Sequence, residues 1–380
     1  MSRKETKRMS QHVPSQISDK FLYAHPDDMK GLVDALAGRQ LSGTSDLVSA
    51  YEVALANYFE TEYAVALSSG SAALHTALYL LGATNGAEVL VPATAPIPSL
   101  LPILTAGALP VFVDSAETNL GFDLEDLQRK ITPRTKAAMV VPMWGYPFSL
   151  QETLLILNQA DIPLIEDIAQ AHGTVIDGCK AESWGTIGCF STHDRKLLAT
   201  GEGGGLLTND AELAERGRQF AQLGGMDGET YGVNYKLSTL QCALGMARIP
   251  YIEENLHHRQ ANAFHLRAAL DGCSNLQELS YPQLCTPNYY YFVIQSTTPA
   301  EMRLFIEALR MQGIPSDITR YRYRVAYEYP LFQAFCQERC PQAEKLVKQI
   351  TTVPVHPGLS EQELKLIAEA IREEQQLLTS

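Results

Sequence analysis

The chain is 380 residues long, 46% hydrophobic, and carries a formal net charge of −13. That is enough apolar material for a core shared between a large and a smaller domain, and no apolar run reaches the length of a membrane span. The acidic balance, mostly a solvated face, disfavours nucleic acid and anionic membranes, whose binding draws on positive surface to displace counterions.

The first twenty residues, Met1 to Lys20, are polar and basic (Arg3, Lys4, Lys7, Arg8) and lack the apolar stretch of a signal peptide. They fit an ordinary cytoplasmic N-terminus, with a mitochondrial presequence as the alternative. Residues 1–37 are expected to form an N-terminal arm, 38–255 a large domain and 256–380 a small C-terminal domain. Asp46 to Phe59 places Leu47, Tyr51, Leu55 and Tyr58 at helical spacing, Tyr63 to Leu67 is a predicted strand, and Ser71 to Leu81 a second helix. Further strands are predicted at 88–91, 109–113, 137–142 and 163–166, with helices at 124–130 and 151–159 among them. Strands alternating with helices give a mostly parallel sheet covered on both faces, an α/β fold. A helical stretch from about Leu237 to Leu270 leads to a strand over Asn288 to Gln295 and a helix over Ala300 to Gln312, the start of a smaller α+β unit. The seven cysteines (Cys179, Cys189, Cys242, Cys273, Cys285, Cys336, Cys340) are an odd number without a C-x-x-C pair. No histidine cluster at zinc spacing accompanies them, so they read as reduced, mostly buried thiols and no metal site is expected.

The chemistry concentrates at three places. Ser68-Ser-Gly-Ser71 lies between a strand and a helix, where small residues and the helix N-terminus suit a phosphate; a plain serine N-cap explains the same residues. It lacks the Gly-Lys-Ser/Thr ending of a nucleotide P-loop, and Gly201-Glu-Gly-Gly-Gly205 runs into a strand rather than the helix a dinucleotide fingerprint requires. Asp167 ends the apolar run Pro163-Leu-Ile-Glu166, which places a carboxylate at a strand end, where open α/β sheets bind ligands. Lys196 ends the segment Gly188-Cys-Phe-Ser-Thr-His-Asp-Arg195. A pyridine cofactor is an electron sink only while its ring nitrogen stays protonated, which a buried Asp supports, and a lysine amine forms the Schiff base and shuttles the proton. Taken singly, Asp167 is as well explained as a cap and Lys196 as a surface charge. Together and in this order, with Ser191 near the lysine as a further phosphate donor, they favour pyridoxal 5'-phosphate.

Five anchors in order carry a resemblance: Ser69-Gly-Ser-Ala-Ala-Leu-His75, Glu166-Asp-Ile-Ala-Gln-Ala-His-Gly173, Cys189-Phe-Ser191 with Lys196, Gly201-Glu-Gly-Gly204, and Asn234-Tyr-Lys-Leu-Ser-Thr-Leu-Gln241. The chain resembles the DegT/DnrJ/EryC1/StrS family of sugar and cyclitol aminotransferases, of the aspartate-aminotransferase-like fold type I, from about Leu41 to Ser360. The resemblance implies that Gly70 and Ser71 hold the cofactor phosphate, Asp167 partners the pyridinium, Gln170 lies near the ring hydroxyl, Ser191 is a phosphate ligand and Lys196 is the Schiff-base lysine. It implies that Asn234 reaches the phosphate of a neighbouring subunit, hence a homodimer with shared sites. The implied reaction moves an amino group from glutamate or glutamine to a ketone on a sugar, cyclitol or related intermediate. Elimination, decarboxylation or replacement on the same cofactor is one alternative, and a silent binding or sensor protein another.

Three departures stand out. Val91-Pro-Ala-Thr-Ala-Pro-Ile-Pro98 has no aromatic to stack on the cofactor ring, Pro96 falling where one is usual. The segment before the lysine is Thr192-His-Asp-Arg195, which makes His193 either a second acid/base or a structural histidine. Lys236 stands where the family more often has Arg. Toward the substrate, the usual His-Tyr pair is absent, and Arg320, Arg322 and Arg324 alternate with Tyr321 and Tyr323. That pattern fits either carboxylate or phosphate recognition, with Arg320, Tyr321 and Arg322 as contacts, or a solvated edge strand or dimer-contact loop. The stretch from Tyr327 to Phe332 leans toward the cyclitol branch, the scyllo-inosose aminotransferases.

Overall fold

The computed structural model describes residues 17–21, 24–181 and 184–378. Residues 1–16 of the expected N-terminal arm lie outside the described residues; Pro26–Ala37 form helix α1. After it come α2 (Asp46–Phe59), β1 (Tyr63–Leu67), α3 (Gly70–Leu80), β2 (Glu88–Pro92), α4 (Ile97–Thr105) and β3 (Leu109–Val113). Then follow α5 (Leu124–Lys130), β4 (Thr135–Val140), α6 (Gln151–Gln159), β5 (Leu164–Asp167), the small pair β6 (Val175–Ile176) and β7 (Cys179–Lys180), β8 (Ile187–Ser191) and β9 (Gly204–Thr208).

β1, β9, β8, β5, β4, β2 and β3 form one seven-stranded sheet in that order, parallel at every pairing except those of β9, which runs antiparallel to both neighbours. Its central strands are apolar on both faces because helices cover both: Val89, Leu90 and Val91 are all fully buried. β8 and β9 are adjacent and antiparallel, so the segment 192–203 between them starts and ends at one edge of the sheet. That edge is the carboxyl end of the parallel strands, where the segments after β1 and β5 also emerge.

The second half begins with α7 (Ala211–Ala221), α8 (Thr239–Arg248) and α9 (Ile252–Ala269). The single helical stretch predicted from Leu237 to Leu270 is thus broken, by a short 3-10 turn over Ile249–Tyr251 whose Pro250 cannot continue the α-helical ladder. A three-stranded antiparallel sheet follows, β10 (Leu276–Glu278), β11 (Phe292–Ser296) and β12 (Ile350–Val353), with β11 in the middle. It is accompanied by α10 (Pro299–Met311), α11 (Asp317–Tyr321), α12 (Pro341–Leu346) and α13 (Glu361–Leu378). β11 starts four residues later than the predicted strand. Asn288 Nδ2 instead donates to the carbonyls of Gln170 and His172, both at 3.0 Å, and Tyr289 takes a left-handed backbone (φ 53), so this piece of chain is anchored to the large sheet's loops.

The arginine–tyrosine alternation at 320–324 is not a strand. Asp317–Tyr321 is a short helix, and Arg322 caps it in the left-handed conformation (φ 49). All seven cysteines are free, and no metal-holding cluster is present among the described residues. Among the described residues no helix is long and apolar enough to cross a membrane.

Candidate active site

The register of three strands builds the phosphate cradle. Gly204 pairs with Leu67 on one side and with Ser191 on the other, so the chain leaving β1 comes to lie against the end of β8. The approach is close enough that a Cβ on Gly204 would sit 2.6 Å from Gly70 N, and one on Gly70 would sit 2.9 Å from the Ser191 Cβ. Ser69 caps α3 by accepting from Ala72 N at 3.0 Å, which leaves Gly70 and Ser71 at the helix N-terminus, where the helix dipole favours an anion. Gly70, Ser71 and Ser191 all line a cavity of about 380 Å³.

Asp167, Gln170, His193, Lys196 and Tyr321 line the same cavity. Asp167 is buried at the last position of β5; its Oδ2 accepts from Ser99 Oγ at 2.5 Å and its Oδ1 from Ala169 N at 3.1 Å. Burial pushes this carboxyl above its usual range, and the Ser99 bond, the Ala169 bond and the Lys196 charge pull it back. Burial also lowers the proton affinity of Lys196, against the attraction of Asp167 and Asp317 and with a further push from Arg195. A lysine set this way has a larger neutral, nucleophilic fraction than a surface lysine.

The loop holding Lys196 is tied by its own backbone. His193 N donates to Ser191 Oγ at 3.2 Å, its Nδ1 accepts from Arg195 N at 3.3 Å, and its carbonyl accepts from Lys196 N at 2.7 Å. Gln170 Oε1 accepts from the main-chain N–H of Trp144 at 2.8 Å, which leaves the amide nitrogen to donate into the cavity. Pro96, Ile97 and Pro98 make one wall aliphatic where an aromatic was missed in the sequence. Tyr290 stands with its ring centroid 5.2 Å from Lys196 Nζ.

Three sequence-predicted residues stay outside the cavity lining. Asn234 is exposed and accepts from Lys236 Nζ at 2.7 Å. Arg322 is exposed at the end of α11, and Arg320 pairs with Asp19. Asp19 also accepts from Arg195 Nη1 at 3.2 Å, so it joins the residue before Lys196 to α11. Sequence reasoning missed Ser99, Glu202, Tyr290, Asp317, Tyr323 and Tyr329, which line the cavity or bond its members. The usable signal was at Asp317, an acid directly after Pro315 and Ser316 and before an apolar Ile318; the others are disclosed only by tertiary closure.

The donor set fits pyridoxal phosphate: a glycine-dependent cradle with two serines for the phosphate, a buried carboxylate, an amide donor and a lysine whose proton affinity burial lowers, all facing one cavity. The sequence comparisons agree. The model of the DegT/DnrJ/EryC1/StrS aminotransferase family matches residues 24–372. The dTDP-3-amino-3,4,6-trideoxy-alpha-D-glucose transaminase of Streptomyces venezuelae is 30% identical over 346 residues, 89% of this chain and 89% of that protein. The UDP-N-acetyl-3-dehydro-alpha-D-glucosamine 3-aminotransferase of Acidithiobacillus ferrooxidans is 32% identical over 330 residues, 85% of this chain and 87% of its own. The crystal structure of S. venezuelae DesV in complex with a ketimine intermediate superimposes with a TM-score of 0.85 at 27% identity, covering 92% of this chain and 94% of that one. The chain belongs to the DegT/DnrJ/EryC1/StrS aminotransferase family and is an aminotransferase.

Proposed function

We propose that this enzyme uses pyridoxal 5'-phosphate to move an amino group from glutamate or glutamine to a ketone on a sugar or cyclitol, as a cytoplasmic homodimer whose subunits share each site. The observation that carries the reading is the meeting of Lys196, Asp167 and the Gly70–Ser71–Ser191 cradle around one cavity. The two relatives are named for amino sugars linked to dTDP or UDP, which supports a sugar-like acceptor. Free cysteines accord with a reducing compartment.

In this reading the amides of Gly70 and Ser71 and the hydroxyls of Ser71 and Ser191 hold the phosphate, joined by Asn234 of the neighbouring subunit. When bound, the cofactor supplies a carbonyl that carries the amino group and a protonated ring that accepts electrons. Asp167 holds the positive charge at the ring nitrogen, and Gln170, fixed by Trp144, donates toward the ring hydroxyl. Lys196 Nζ accepts the proton released from the donor's α-carbon and would give it up to the cofactor carbon that takes over the nitrogen, so that no net proton is lost in the half-reaction. His193 stays in reach of the same space, as a second proton carrier or a loop brace. Residues 38–255 form the cofactor-binding domain, and 256–380 the smaller domain that brings Tyr290, Asp317 and Tyr321 to the site.

The test is a half-reaction. The purified, cofactor-loaded enzyme is mixed with single amino acids and followed by visible absorbance and product analysis. Glutamate or glutamine should convert it stoichiometrically to the pyridoxamine form with release of the matching 2-oxo acid. Release of CO₂ or ammonia without that form would overturn the aminotransferase mechanism.

A further inference from the structure

Asp317 takes no part in the roles assigned above, yet the fold holds it with care. It opens α11, and its main-chain N–H donates to Thr352 Oγ1 on β12 at 2.8 Å, which fixes its backbone from the neighbouring strand. The residue is only 8% exposed, and it lines the cavity that contains Lys196. Oδ2 accepts from Trp144 Nε1 at 2.9 Å; Oδ1 accepts no hydrogen bond and the group makes no salt bridge among the described residues. Arg195 and Arg320, the nearby guanidiniums, are instead both engaged by Asp19. Oδ1 is not among the buried polar atoms that lack a partner, so it opens onto the cavity, where a hydrogen-bond donor of a ligand can meet it.

Trp144 is the means by which it is presented. This residue is fully buried and sits in a left-handed backbone conformation (φ 54), an arrangement that persists only where the surroundings impose it. Its main-chain N–H fixes Gln170 and its indole N–H fixes Asp317, so one residue sets two polar groups of the same cavity. Tyr323 packs edge-on against the indole with centroids 5.0 Å apart. Tyr290, Tyr321, Tyr323 and Tyr329 make the adjoining wall aromatic. Flat rings beside a single open carboxylate oxygen suit a ligand with apolar C–H faces and hydroxyls at its edge.

We infer that Asp317, held by Trp144, is the residue that selects the amino acceptor: its open Oδ1 takes a hydrogen bond from a hydroxyl of a polyhydroxylated ring whose C–H face lies on the tyrosine wall. This rests on the sugar or cyclitol acceptor proposed above. A site built to hydrogen-bond a hydroxyl rejects the analogue lacking it, because the buried acceptor is then left empty. Rejection by this means is much stronger than a hydrophobic pocket achieves through shape.

The experiment uses the pyridoxamine form of the wild type, Asp317→Asn and Asp317→Leu, made with the best amino donor. Each reacts with scyllo-inosose, its monodeoxy analogues, and dTDP- and UDP-linked keto hexoses with and without single hydroxyls. Asp317→Asn keeps an oxygen for Trp144 and guards against a folding defect in the leucine variant. The wild type should discriminate by roughly 100-fold or more in kcat/KM against the analogue that lacks one particular hydroxyl, and both variants should discriminate less than about 3-fold. A second readout does not depend on turnover. The chain has two tryptophans, so Trp184→Phe leaves Trp144 as the only one, and its emission, excited at the red edge beyond tyrosine absorption and read apart from the cofactor band, should shift on saturation with the amino product but not when Asp317 is also Asn. Equal discrimination in wild type and both variants, or an unchanged Trp144 response in the Asn variant, would overturn the role of Asp317 while leaving the acceptor class intact. A wild-type pyridoxamine form that aminates none of these ketones would remove the acceptor class, and this inference with it.

Discussion

Ser99 Oγ donates to Asp167 Oδ2 across 2.5 Å, from the first turn of α4 to the end of β5. The carboxyl is buried, and burial alone drives it toward its neutral form; the Ser99 bond is the foremost of the contacts that oppose this. In the role proposed above, facing a protonated ring, Asp167 is helped to keep its charge by a serine on another element.

Ser99→Ala should raise the proton affinity of Asp167 further. Activity would then fall away sooner as the pH is lowered, moving the acid limb of the kcat/KM profile upward. A hydrogen bond to a charged group contributes about 1.5–3 kcal/mol, which corresponds to a loss of roughly 10–100-fold. Asp167→Asn should fold and still take up the cofactor, yet lose about two orders of magnitude or more in activity, since electrostatic contacts of this kind are worth about 3 kcal/mol or more. A Ser99→Ala profile superimposable on wild type would refute the coupling.

Asp19 ties the segment before Lys196 to α11 through Arg195 and Arg320, while its carbonyl accepts from Tyr291 OH at 3.3 Å. Asp19→Ala leaves two guanidiniums without their carboxylate. The expected cost is about 1–3 kcal/mol, less than for a fully buried pair because both guanidiniums keep some contact with water. Denaturant titration measures it, and an unchanged midpoint would show the bridge to be dispensable.

Glu166 is fully buried next to Asp167; its Oε1 accepts from Trp184 N at 3.0 Å and Gly185 N at 2.5 Å, and its Oε2 has no partner. Burial pushes its carboxyl from 4.5 to about 8, with the two backbone bonds opposing. Between these values the folded chain keeps a proton that the unfolded chain has released, so stability drops as the pH rises through this window and levels off above it. Glu166→Gln keeps the accepting oxygen and has no such titration. Urea midpoints at acid, neutral and alkaline pH should therefore diverge, the variant gaining on wild type toward high pH. Parallel curves would contradict a neutral Glu166.

Much of the large sheet was legible because its elements carry simple periods. The apolar runs of β1 and β3 and the helical spacing of α2, α5 and α6 give the observed boundaries directly. The strand order, and β9 running against its neighbours, depend on pairings between distant segments that no local pattern encodes. In the site, Gly70, Ser71, Asp167, Gln170, Ser191, His193 and Lys196 stood out because special chemistry restricts the residue type at a strand end or helix start, and all seven line one cavity. Ser99 and Asp317 were obscured for the opposite reason, since a serine or acid in the first turn of a helix has an ordinary capping explanation until its partner is known, and Asp19 lies in a segment without regular structure that offers no local pattern. The arginine–tyrosine alternation misled because period two suggests a strand, whereas the chain turns through a short helix and a left-handed residue there.

Asn234 is exposed on the chain that carries it, as a ligand for a neighbour's phosphate must be. Asn234→Ala should weaken cofactor retention, since cofactor binding and dimerisation are then linked. Mixing Lys196→Ala with a severely cofactor-deficient Asn234 variant should restore part of the activity, one intact site per heterodimer. No recovery after verified subunit exchange, or a cofactor-saturated monomer in sedimentation, would exclude the shared site.

Lys196 lines the cavity together with Asp167 and the phosphate cradle, where a covalently held cofactor would attach. Borohydride reduction of the cofactor-loaded enzyme, followed by proteolysis and peptide mapping, locates the attachment directly. A pyridoxyl group on Lys196, lost in Lys196→Ala, is the predicted result. Attachment at Lys136 or Lys180, or no covalent label on a protein saturated with cofactor, would contradict it.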